Sequence, residues 1–218
     1  TPYGFRDLET VLPGKPDLIR LPKAESAEEI QTVAEVIARI ERECGFPDGT
    51  IKMGAAIETA KGLRQAYAIA SASPRMEFLA IGGEDFIADL KTTRSKDGRE
   101  LFVARSQLVL AAREAGIQAI DTVFADANDD ETFLNEVRFI KQLGFDGKSV
   151  INPRQVRQVQ EVFAPTEKEI SHARRVLAAY QDALDRKSGV IALDGKMIDT
   201  PIVTRAERVL AYAAAVRN

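Results

Sequence analysis

KMGAAIE (Lys52 to Glu58) is a short apolar run that stops on a carboxylate, and FLAIGGED (Phe78 to Asp85) repeats the arrangement one helix-length further along the chain. Outward from these two, apolar runs at Leu18 to Leu21, Ile51 to Ile57, Phe78 to Ile81, Gln118 to Val123 and Lys148 to Ile151 alternate with stretches of helical period. Such alternation is the signature of repeated βα units on a parallel sheet, an α/β fold. Helices are expected at Ser26 to Cys44, Ala60 to Ala72, Glu100 to Ala115, Asp130 to Leu143 and Pro153 to Val162. Ser26 with Glu29 reads as a capping box, and Gly45, Gly116 and Gly144 as C-terminal stops.

Each strand ends in polar or small residues: Pro22-Lys23, Glu58-Thr59, Gly82-Gly83-Glu84-Asp85, Asp121-Thr122 and Asn152-Pro153. In a parallel barrel the carboxyl rim carries the chemistry, so functional groups should gather there. The expected architecture is a TIM (β/α)8 barrel. Five strands cannot close one, so about three βα units are expected to precede Thr1. An open doubly wound sheet is the alternative, but no glycine-rich first βα turn supports it. The barrel portion is assigned to residues 1–164 and a C-terminal extension to residues 165–218. That extension holds a polar helix from Thr166 to Lys187, a break at Ser188-Gly189, an extended segment Val190 to Leu193, a turn at Asp194-Gly195 and a helix from Pro201. It either packs on a neighbouring subunit or folds back on its own barrel.

Composition narrows the chemistry. With 45% hydrophobic and 29% charged residues over 218 positions, the chain suits a soluble domain with a sizeable core. The net charge of -3 has no basic block, which argues against nucleic acid, and no apolar run is long enough to suggest a membrane span. A cytoplasmic location is expected. Cys44 is alone and is read as a packing residue. His172 is the only histidine and reads as a solvated helix residue, so histidine-based zinc sites and Ser-His-Asp triads have little to rest on.

Hard-cation carboxylate chemistry remains. If the runs ending at Glu58 and at Glu84-Asp85 are neighbouring parallel strands, Glu58 and Asp85 meet at the rim, and a carboxylate pair of this kind suits Mg²⁺. The competing interpretation is that Asp85 merely caps a turn starting at Phe86. Gly82-Gly83 would allow backbone N–H groups to approach a substrate carboxylate.

Longer stretches carry a family resemblance: DLIRLPKAES (Asp17 to Ser26), AAIETAKG (Ala55 to Gly62), GGEDF (Gly82 to Phe86), AGIQAIDTVFADAND (Ala115 to Asp129), KQLGFDGKSVINPRQ (Lys141 to Gln155), APTEKEISHARRV (Ala164 to Val176) and LDGKMIDTP (Leu193 to Pro201). The chain resembles the citrate lyase β subunits, within the wider citrate lyase and HpcH/HpaI aldolase family of malyl-, citramalyl- and aldolase-type lyases. The resemblance implies a barrel of the phosphoenolpyruvate/pyruvate superfamily type, with Glu58 and Asp85 binding Mg²⁺. It further implies that Glu58 contacts the substrate, that Gly83 and Glu84 supply backbone donors to a substrate carboxylate, and that Asp199, on the tail of a neighbouring subunit, acts as acid/base. From its position alone Asp199 reads as a helix N-cap, and both roles can hold.

Two departures qualify this carry-over. Asn152 stands where the wider family usually has His, and the family's substrate-binding arginine and acidic cluster map to strands before Thr1, without which substrate binding is expected to be poor. Arg20 is read as a barrel-interior or strand-end ion-pair partner and not as a replacement. The implied reaction is retro-aldol cleavage of a citryl thioester, on acyl carrier protein or CoA, to oxaloacetate and an acetyl thioester. The implied partners are the α and acyl-carrier γ subunits, in a homotrimer or hexamer of this chain. The rivals are a malyl-CoA or citramalyl-CoA lyase and a non-catalytic scaffold subunit.

Overall fold

The computed structural model describes residues 3–186 and 192–216. The expected break at Ser188-Gly189 and the first residues of the expected extended segment, Val190 and Ile191, lie outside them. The chain divides into two compact units, Thr1–Val159 and Gln160–Asn218.

The first unit opens with helix α1 (Gly4–Val11), followed by β1 (Leu18–Leu21), α2 (Ala27–Cys44) and β2 (Lys52–Ile57). Next come α3 (Ala60–Arg64), α4 (Ala66–Ala70), β3 (Met76–Ile81), α5 (Gly83–Asp89), α6 (Phe102–Ala115), β4 (Gln118–Asp121), α7 (Asp130–Leu143), β5 (Gly147–Lys148) and α8 (Pro153–Phe163), within which the boundary between the units falls. The five strands form one parallel sheet in the order β1-β2-β3-β4-β5. The protein is thus α/β with a parallel sheet, and each strand pairs with its predecessor. A doubly wound sheet would instead reverse its order at a switch point. β2 is buried from Met53 to Ile57, as expected of a parallel strand covered on both faces. Gly54 is required there, because a Cβ would stand 2.2 Å from the Phe78 ring of β3.

Several elements differ from the sequence expectation, each for a local reason. The single helix expected over Ala60 to Ala72 is two short ones that meet at Gln65, whose N–H closes a tight turn on Gly62 O. β4 stops at Asp121 because the next carbonyl, Thr122 O, accepts from Lys148 Nζ at 2.7 Å and so leaves the ladder. β5 is correspondingly short. α1 is not among the expected helices, and none of its residues is buried. Cys44 is exposed at the end of α2 and does not pack.

The second unit contains α9 (Glu167–Asp185), a hairpin of β6 (Ala192–Leu193) and β7 (Lys196–Met197), and α10 (Thr200–Val216). Thr166 caps α9 through a capping box with Glu169. Asp194 and Gly195 form the hairpin turn, both at positive φ (52° and 76°), which a two-residue hairpin loop favours. Ala173, Val176, Ile198, Val203 and Ala206 make this unit's own core. Among the described residues no helix is long and apolar enough to cross a membrane.

Candidate active site at the carboxyl edge of the sheet

β2 and β3 run in register to Ile57 and Ile81, and the Gly82 N–H donates to Ile57 O at 2.9 Å. That pairing brings Glu58, the residue after β2, beside Gly82. The contact is close: a Cβ on Gly82 would stand 2.5 Å from Glu58 Cγ and 2.9 Å from Cδ. Gly83 in turn lies against β4, its N–H donating to Thr122 Oγ1 at 2.9 Å. The ends of three strands are thereby stitched together, with Glu58 largely buried between them at 8% exposure.

Asp85 sits in the first turn of α5, directly after β3. Burial pushes the Glu58 carboxyl above its ordinary value, and the charge of Asp85 pushes it further; the Lys23 N–H and the charges of Lys23 and Arg20 oppose the shift. A partly desolvated acid beside a second carboxylate calls for a cation. Lys23 supplies one, its Nζ 2.7 Å from Asp85 Oδ1. Arg20 is exposed on β1, and its charge reaches Glu58.

Among the described residues no group of three or more His, Cys, Asp or Glu could hold a metal ion. A pair of hard oxygen donors is nonetheless what Mg²⁺ commonly takes from a protein, with water and substrate oxygens completing its octahedron. Glu58 and Asp85 fit that ion, because a dication between them would relieve the repulsion that now raises Glu58.

The other expected site residues are placed as follows. The Gly83 N–H is engaged by Thr122. The Glu84 side chain turns away to Arg94, with Nη1 2.8 Å from Oε1, while its N–H lies in the first turn of α5, where the helix itself offers no acceptor. Asp199, in the second unit, is exposed, and its Oδ1 accepts the Ile202 N–H at 3.3 Å, so it caps α10 as its position suggests. A cavity of about 350 Å³ lined by Lys96, Asp97, Thr132, Asn135, Glu136 and Phe139 includes none of these residues.

Sequence reasoning missed the support beneath this edge. Asp121, ending β4, takes a two-point ion pair from Arg105 of α6 (2.8 and 3.0 Å) and a third contact from Lys148 of β5 (2.8 Å). Glu136 of α7 bonds the same Lys148 (2.5 Å), Arg105 (3.1 Å) and Arg94 (3.0 Å). Burial alone would push Glu136 up, yet Lys148 and Arg105 hold its carboxyl down at about 2. Glu136 lies on the helix face of Phe133, Val137 and Ile140, a charged residue among buried apolar ones, but nothing in the sequence names its partners. Lys148 also holds the Thr122 carbonyl, while the Thr122 hydroxyl holds Gly83, so the network positions the rim without facing it.

A family model described as HpcH/HpaI aldolase/citrate lyase matches residues 1–153. The chain belongs to this family. The chain is 47% identical over 211 residues to the citrate lyase subunit β of Escherichia coli K12, 97% of this chain and 70% of that one. Among solved structures, the CitE protein of Mycobacterium tuberculosis, in complex with magnesium, acetoacetate and coenzyme A, is 34% identical with a TM-score of 0.75, covering 96% of this chain and 73% of that one. A citrate lyase from Burkholderia xenovorans aligns with a TM-score of 0.86 over 100% of this chain and 71% of that one at 21% identity, a likeness of fold alone. Family membership matches the assignment made from the motifs.

Proposed function

We propose that this family member is a magnesium-dependent carbon–carbon lyase, the β subunit of a citrate lyase, which cleaves a citryl thioester into oxaloacetate and an acetyl thioester. The observation that carries the reading is the Glu58 and Asp85 pair at the carboxyl edge of the sheet, in a chain 47% identical to a citrate lyase β subunit. The consecutive parallel order of β1 to β5 supports a (β/α)8 barrel of the phosphoenolpyruvate/pyruvate type, whose rim would then be this edge.

Glu58 and Asp85 would hold Mg²⁺, which when bound supplies a Lewis acid worth several kcal/mol toward negative charge developing on substrate oxygen. Gly82 leaves room for Glu58 to lie flat along the strand end, which fixes its carboxylate. Gly83 and Glu84 would receive a substrate carboxylate, the first by allowing close approach and the second through its N–H. In the retro-aldol step the tertiary hydroxyl loses its proton, the carbon–carbon bond breaks, and its electron pair passes to the acetyl carbon. Asp199, on the tail of a neighbouring subunit, is assigned as the acid/base that takes up the hydroxyl proton and returns it to that carbon. By the same reading the enzyme works in the cytoplasm, in a trimer or hexamer of residues 1–164 and 165–218 modules, with an α subunit and an acyl-carrier γ subunit.

The test offers citryl thioesters on acyl carrier protein and on CoA, with malyl-CoA and citramalyl-CoA beside them. Oxaloacetate release from the citryl carriers, abolished by chelation and reduced at least about 100-fold in Asp199→Asn, is the expected result. Turnover of malyl- or citramalyl-CoA alone would assign the chain to those lyases, and no turnover of any thioester would leave the scaffold reading.

A further inference from the structure

Lys23, in the turn after β1, has φ +49°, in the left-handed region where glycine or asparagine is the usual occupant. Its neighbours fix that conformation. The Ala24 N–H donates to Ala56 O of β2 at 3.1 Å, and the Ala24 carbonyl presses on α3, 2.5 Å from where a Cβ on Gly62 would stand. In consequence one residue reaches both carboxylates. Its main chain and its charge both favour the ionised Glu58, and its ammonium stands 2.7 Å from Asp85 Oδ1. A glycine at this position would suit the backbone better but would bring no charge to Asp85.

This inference rests on the magnesium reading of Glu58 and Asp85. We propose that Lys23 is the resident counter-ion of that pair: its ammonium neutralises Asp85 while no dication is bound, and must leave Asp85 for a dication to be gripped, so Lys23 sets the affinity of the pair for magnesium. Two neighbouring carboxylates repel, and the ammonium 2.7 Å from Asp85 offsets that repulsion. A bound dication takes over the attraction and repels the ammonium. Removing the ammonium therefore tightens binding. The ion pair is open to water on both sides, with side-chain exposures of 62% and 53%, so screening keeps the effect to about fivefold.

Titration calorimetry with MgCl₂ on the wild type, Lys23→Asn, Lys23→Arg and Asp85→Asn tests this. Asparagine accepts the left-handed backbone and carries no charge; arginine keeps a cation. Expected are magnesium binding about fivefold tighter in Lys23→Asn, near wild-type affinity in Lys23→Arg, and no binding in Asp85→Asn. Affinity that is unchanged or weaker in Lys23→Asn, with binding intact in the wild type and lost in Asp85→Asn, overturns the role of Lys23 and leaves the metal reading standing. No binding by the wild type overturns both. Lys23→Gly, which suits φ +49° without a side chain, takes the place of the asparagine variant if that variant does not fold.

Discussion

Gly82 has backbone angles open to any L-residue (φ −96°, ψ 84°), so its identity is set by the Glu58 side chain lying across it. Gly82→Ala would place a methyl group 2.5 Å from Glu58 Cγ and force the carboxylate to turn away. Lyase activity is expected to fall by about 100-fold, the scale of loss when a catalytic group moves by about 1 Å. Steady-state assays paired with a thermal melt check this, since the fold has no backbone reason to suffer. At this scale the closeness of Glu58 to Gly82 is legible in the sequence, because two apolar runs ending one helix-length apart read as neighbouring parallel strands. Lys23 is not legible. A lysine after a strand reads as solvated, and only the positive φ and the contact with Asp85 distinguish it.

Among the elements, α2 is readable nearly whole. Ser26 accepts the Glu29 N–H, Glu29 returns a bond to the Ser26 N–H, Ile30, Ile37 and Ile40 face inward, and Gly45 closes the helix at positive φ. Ser26→Ala removes one half of the box and is expected to cost about 1 kcal/mol in urea unfolding, leaving magnesium affinity unaltered. α5 shows the opposite case. Gly82-Gly83 followed by two acids reads as a loop, and the helix exists because Phe86 and Ile87 are buried, information that lies in the tertiary structure and not in the local pattern. The split between α3 and α4 is hidden for the same reason, since it depends on a glycine pressed against a carbonyl from another turn.

Across the first unit, the buried ions Arg105, Asp121, Glu136 and Lys148 tie β4, β5, α6 and α7 into the support of the rim. Their partnership is a three-dimensional fact, and four charges scattered over forty-odd residues give no hint of it one at a time. They make a pH prediction. Glu136 ionises in the folded protein at about 2 against an ordinary 4.5. As pH falls, the unfolded chain therefore takes up this proton first, so the stability the group contributes is present above about pH 4.5 and is lost between there and about pH 2. Urea unfolding at pH 5, 4 and 3 is expected to show stability declining with acid, with a shallower decline in Glu136→Gln, which has no proton to gain.

The central claim is that two acids from adjacent strand ends share one dication. Counting Mn²⁺ bound per chain by electron paramagnetic resonance, with Mn²⁺ in the place of Mg²⁺, tests it most directly. The account predicts one ion per chain in the wild type and none in Glu58→Gln or Asp85→Asn. An ion retained at full occupancy in both variants, or a wild type that binds none, would contradict it.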